Sequence, residues 1–165
     1  MSSESARATA AAQSRFRIDH ANSGQRIVKV IALDGPSAEV VSRLAQEQWG
    51  GAGFFTAAAM PADERPAAAG WLRDLAGQTR DPMDELDAAD LVAMVATAGE
   101  NCQAASLIGE ACRLKRVTAI ALVFAGASPA DALVRTLRQL RPFTVMLTIA
   151  RAEDHVAETL RGLRA

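Results

Sequence analysis

Cysteine is scarce in this sequence, and its placement suits neither metal nor disulfide chemistry. Cys102 and Cys112 are the two present. They stand ten residues apart on one expected helix, which is neither a CxxC pair nor a zinc spacing, and this argues against a metal site or a disulfide framework. Charge of one sign is also in short supply: eighteen basic against nineteen acidic residues give a formal net charge of −1. A nucleic-acid or anionic-membrane binder that works by bulk charge is not built this way. Sixteen of the basic residues are Arg, a composition habit that accompanies the abundant Ala and locates no anion site. No apolar run reaches the roughly 18–20 residues that span a bilayer. The N-terminal MSSESARATAAAQSR lacks the apolar centre of a secretory signal. On these grounds the chain is expected to be cytoplasmic.

What is present is a regular alternation. A chain of 165 residues suits one domain with one sizeable core. Residues 1–24, rich in Ser, Ala and Arg without a sustained period, are expected to form a flexible arm ahead of a single domain over 25–165. RIVKVIAL (26–33) is an expected strand, followed by a turn and a helix over 34–49. There Val40, Val41, Leu44 and Ala45 lie at helical spacing and Ser37 is the expected cap. FFTAAA (54–59) reads as a short strand, and 60–89 as short helices around Trp71–Leu75 and Met83–Leu86. From residue 90 the order is strand, helix (101–115), strand (117–124), helix (129–140), strand (143–150), helix (153–163). The strands are apolar nearly throughout, as parallel strands covered on both faces are. The expected fold is therefore α/β: a doubly wound, Rossmann-like, mostly parallel sheet with helices on both faces.

In such a sheet ligands bind beyond the carboxyl ends of the strands, where strand order reverses. The loops expected there carry the candidate ligand-binding residues: Asp34, Gly35 and Ser37; Thr97, Gly99, Glu100 and Asn101; Gly126 and Ser128.

VKVIALDGPSAEVVSRL, ADLVAMVATAG, AASLIGEACRLKRVTAIALV and LRQLRPFTVMLTIARAEDHV, in that order, resemble the nucleotide-binding domain of FtsZ, the tubulin-like bacterial division GTPase. The likeness runs over residues 26–160 through apolar pattern and order. It leaves a nucleotide as the candidate cofactor, with none required and its identity open. The departures fall on the chemistry. The family's first glycine turn is here Asp34-Gly35-Pro36-Ser37, in which Asp34 adds negative charge and Pro36 has no N–H to offer. Its GGGTGTG phosphate loop is replaced by Gly99-Glu100-Asn101-Cys102-Gln103, and Glu100 would meet phosphate with like charge. The sequence given also holds no counterpart of the domain that supplies the family's catalytic acidic loop. The resemblance thus implies a scaffold without GTP hydrolysis by the family's mechanism.

Each candidate also has a plainer reading. A helix starting near 101 favours an anion through its dipole and free N–H groups. Thr97 or Asn101 can satisfy those groups instead, with Glu100 complementing the dipole, and this reading is favoured. Cys102 at a helix start could be a reactive thiol, but small buried Cys is common packing. His155, beside Glu153 and Asp154, reads as a surface residue, and His20 falls in the arm. Arg135, Arg138, Arg141, Arg161 and Arg164 read as solvated helix surface. Two functions follow. One is a non-catalytic interaction or regulatory protein on a degenerate FtsZ-like fold, with a protein partner or self-association and no nucleic acid or membrane. The other is a small-molecule or nucleotide-dependent enzyme that binds a phosphate-bearing ligand at loop 97–103. Because residues 1–24 offer no core-facing period, deleting them is expected to leave the melting temperature nearly unchanged. A calorimetric drop of many degrees would show that they pack on the domain or on a second copy.

Overall fold

The computed structural model describes residues 25–57 and 71–165; the expected arm over 1–24 and residues 58–59 of the expected second strand lie outside them. One seven-stranded sheet organises the described residues: β1 (Val28–Ala32), β2 (Ala52–Thr56), β3 (Leu72–Asp74), β4 (Thr79–Arg80), β5 (Leu91–Thr97), β6 (Thr118–Phe124) and β7 (Met146–Ala150). Its order is β4-β3-β2-β1-β5-β6-β7. The five strands from β2 to β7 in that order are parallel, and β3 and β4 add antiparallel to the β2 edge. The doubly wound, mostly parallel α/β expectation is met.

The central strands divide residue by residue between two cores, because successive strand side chains point to opposite faces. Val92, Met94 and Ala96 of β5 enter one core; Leu91, Ala93 and Val95 enter the other. β6 does the same with Ala119, Ala121 and Val123 against Ile120 and Leu122. Both sets must be apolar, so the runs look continuous in sequence. The helices are α1 (Gly35–Leu44), α2 (Pro82–Asp87), α3 (Ala104–Lys115), α4 (Ala130–Leu140) and α5 (Glu153–Gly162). Leu86, Ile108 and Leu140 of α2, α3 and α4 lie in the first core; Val40, Val41, Val156 and Leu160 of α1 and α5 lie in the second. The chain steps from β1 outward to β2, then returns to β5 and steps the other way. Right-handed crossovers therefore lay α1 on one face and α3 and α4 on the other.

Three expectations are corrected. Residues 71–75 are not helical: Trp71 and Leu72 are buried, and Leu72–Asp74 forms the first strand of a hairpin with β4. Gly77, at φ 79°, makes the turn, and Asp74 braces it by accepting from the Gln78 N–H (2.9 Å) and Arg80 Nε (2.9 Å). The second correction is the cap of α1. Ser37 is the third helical residue, and Asp34 is the N-cap. The third is the start of α3, which begins at Ala104, three residues later than position 101.

Gly109 lets α3 lie against the 3-10 turn Arg141–Phe143 that leads towards β7. A Cβ built there would stand 2.5 Å from Phe143 Cβ. Gly109→Ala would gain roughly 1 kcal/mol of helix propensity, whereas overpacking a filled site costs about 1–3 kcal/mol. Since a Cβ rather than a flexible tip is in the way, the variant is expected to unfold at lower denaturant, as a chemical denaturation midpoint will show.

Candidate functional site

The reversal of strand order falls between β1 and β5, so the crevice opens between the loops that follow them. Leu33-Asp34-Gly35, Ala57, Glu100, Asn101, Gln103 and Ala104 line a cavity of about 170 Å³ there. Asp34 dominates it. One carboxylate oxygen accepts from the Ser37 N–H at 2.8 Å, and the other accepts from the Thr97 N–H at 2.8 Å. Ser37 Oγ accepts from the Asp34 N–H at 3.1 Å and donates to the Asp34 carbonyl at 3.0 Å, closing a capping box. Asp34 is 5% exposed and Ser37 fully buried. The chain's own anion therefore occupies the helix-start N–H that a ligand phosphate would seek, and bridges it to the end of β5.

The second loop is held in the same way, by its own groups. Gly99, at φ 92°, donates its N–H to Thr136 Oγ1 on α4 at 2.9 Å, and Thr136 donates to the Ala132 carbonyl. Asn101 Oδ1 accepts from the Gln103 N–H at 3.0 Å, ahead of α3. Ala105 and Ser106 donate to the carbonyls of Cys102 and Gln103. Asn101 therefore braces the turn ahead of α3 and does not cap the helix, whose start has no side-chain cap bond. Nor does Thr97 cap it: its backbone N–H is engaged, and its buried Oγ1 has no partner among the described residues. Glu100 does not complement the dipole as expected, because α3 starts four residues further on and carries no acid in its first turn. That effect fades beyond the first turn.

Of the candidates, Asp34, Gly35, Glu100 and Asn101 line the cavity, and Ser37 and Thr97 are bonded to Asp34. Gly99 turns towards Thr136. Gly126 and Ser128 lie off the cavity lining; Ser128 Oγ donates to the Ala98 carbonyl at 3.3 Å, tying the loop after β6 to the loop after β5. Sequence reasoning missed Thr136, which has no local signal beyond being polar on the buried face of an amphipathic helix. It also missed Gln103 and Ala57 in the lining.

Burial pushes the Cys102 thiol up to about 12, with the nearby Asp34 and Glu100 carboxylates adding to it. Burial alone pushes Cys112 to about 11. Both stay neutral at physiological pH, which suits packing and not nucleophilic chemistry. His155 is exposed on α5. Among the described residues no group of His, Cys, Asp or Glu could hold a metal ion, and no helix is long and apolar enough to cross a membrane. A larger cavity, about 530 Å³, opens at the other end of the sheet, where α3 ends and β6 begins. Gly109, Cys112, Phe143 and Val145 wall it, and Glu110, Arg113 and Arg116 are its charged residues. It shares no residue with the crevice.

No family model matches the chain, and no curated protein matches it.

Two outcomes follow from this geometry. Both thiols are expected to resist alkylation in the folded protein at pH 8 and to react fully once it is unfolded, read by mass spectrometry. Asp34→Ala removes the acceptor of two N–H groups and is expected to cost about 1–3 kcal/mol. Added phosphate or acetate should then raise the variant's melting temperature and leave the wild type unmoved.

Proposed function

We propose that this chain is a non-catalytic interaction or regulatory protein, built on a degenerate FtsZ-like nucleotide-binding scaffold. One observation carries the reading: the Asp34 carboxylate accepts from both the Ser37 and Thr97 N–H groups at 2.8 Å. A phosphate would have to displace an anion that is covalently part of the chain and pays no entropy of association. It would also enter a small cavity lined by a second carboxylate, Glu100, where like charge disfavours it. Cys102, held as a neutral thiol, offers no nucleophile there. A scaffold whose crevice N–H groups are taken up by its own carboxylate keeps its outer surfaces for partners, and a protein partner is the kind this reading requires.

The test is a thermal-shift panel of GTP, ATP and phosphosugars on the full chain. A ligand at 100 times its dissociation constant stabilises the native state by about 2.7 kcal/mol, so binding is visible. No shift is expected, and no phosphate release from GTP. Glu100→Gln removes the exposed charge outside α3, so its melting temperature should match the wild type and gain no nucleotide response. Phosphate release abolished by a change in loop 97–103 would instead establish the enzyme reading.

A further inference from the structure

We propose that the cavity of about 530 Å³ at the end of α3 is a binding site for an organic acid, its carboxylate held by Arg113 and Arg116 and its apolar body lying against Val117, Phe143 and Val145. The cavity shares no residue with the crevice, so the site stands or falls apart from the reading of Asp34.

Size and rigidity come first. Pockets for small molecules run roughly 300–1,000 Å³, and this cavity falls within that span. One wall is fixed before any ligand arrives. α3 meets the turn Arg141–Phe143 so closely that a Cβ built on Gly109 would stand 2.5 Å from Phe143 Cβ. Backbone packing thus holds Phe143 in place, and Cys112 is buried beside it in the lining. Val145, on the open side, leaves an apolar side chain 79% exposed that a bound body would cover.

The charges select the head group. Arg113 and Arg116 line the cavity without an ion-pair partner among the described residues, whereas Arg43, Arg80, Arg135 and Arg161 are each paired. A guanidinium fork matches a carboxylate through two parallel hydrogen bonds. Free carbonyls at a helix end would repel such a head, but here they are occupied. The Cys112 carbonyl accepts from the Val117 N–H at 2.9 Å, and the Arg113 carbonyl accepts from the Arg116 N–H at 3.3 Å. Glu110 also lines the cavity, and two Arg against one Glu suit a single negative charge better than a phosphate monoester, which carries nearly two. The apolar body follows from the walls: a bare ion would leave Val117, Phe143 and Val145 in water.

Isothermal titration calorimetry of the full chain with phenylbutyrate, indoleacetate and octanoate, each beside its neutral amide, tests the site. At least one acid should bind saturably, with its amide about tenfold weaker for want of charge-assisted hydrogen bonds. Arg113→Gln and Arg116→Gln change exposed side chains, so both should keep the wild-type circular dichroism. Each should lose about tenfold in affinity for the acid and leave that for the amide unchanged. Glu110→Gln should tighten the acid. In an NMR titration the backbone amides of 109–119 and 143–145 should shift, and those of the crevice loop 97–103 should not. Equal affinity for acid and amide, unchanged acid affinity in either Arg variant, or shifts confined to other residues overturns the proposal. So does the absence of saturable binding by all three acids.

Discussion

The Asp34 carboxylate stands where β1 and β5 diverge, and the surroundings of the crevice follow from its two hydrogen bonds. Reversal of strand order leaves backbone N–H groups facing a gap that no strand fills. In a ligand-binding member of this fold class a phosphate enters the gap and satisfies them. Here a side chain does so, with one oxygen on α1 and the other on the end of β5. Charge-assisted bonds of this kind are about twice as strong as neutral ones. Ser37 then has to be small and polar to complete the capping box beneath it, and Pro36 costs nothing, because no N–H is needed at its position.

The neighbouring loops are organised on the same principle of internal satisfaction. Thr136 reaches from α4 to the N–H of Gly99, and Ser128 reaches from the loop after β6 to the Ala98 carbonyl. These tie three βα loops into one network over the carboxyl ends of the strands. Beneath them β5 and β6 contribute to both cores at once, so the loops rest on the most buried part of the molecule. Ion pairs such as Arg43–Glu153 and Arg161–Glu47 link α1 and its following turn to α5 across exposed surface. Exposed pairs of this type are worth little, and the two apolar cores hold the layers together.

The internally bonded crevice loops and the unequal sheet edges divide the molecule between centre and surface. The backbone groups that Asp34 and Thr136 reach are satisfied from within, whereas the buried Thr97 Oγ1 has no partner among the described residues. Arg113 and Arg116 at the cavity where α3 ends have no ion-pair partner among the described residues, and Val145 belongs both to its wall and to the β7 approach.

Sequence alone determined the parts that depend on local period. The unbroken apolar runs at 91–97 and 118–124 require strands covered on both faces, and their alternation with helices requires a doubly wound sheet. It also marked the crevice loops, since those follow the strands. Only tertiary structure decided what those loops do. Asp34 reads in sequence as a charge that repels a ligand; its role as an acceptor depends on Thr97, 63 residues away, brought beside it by the pairing of β1 with β5. The same holds for Thr136 and Gly99, 37 residues apart. The hairpin at 72–80 escaped because its strands are three and two residues long, too short to display a period. It exists because β2 offers an edge for it to pair with. Periodicity is a property of neighbours in the chain; a hydrogen bond between loops is set by strand register, which no local window contains.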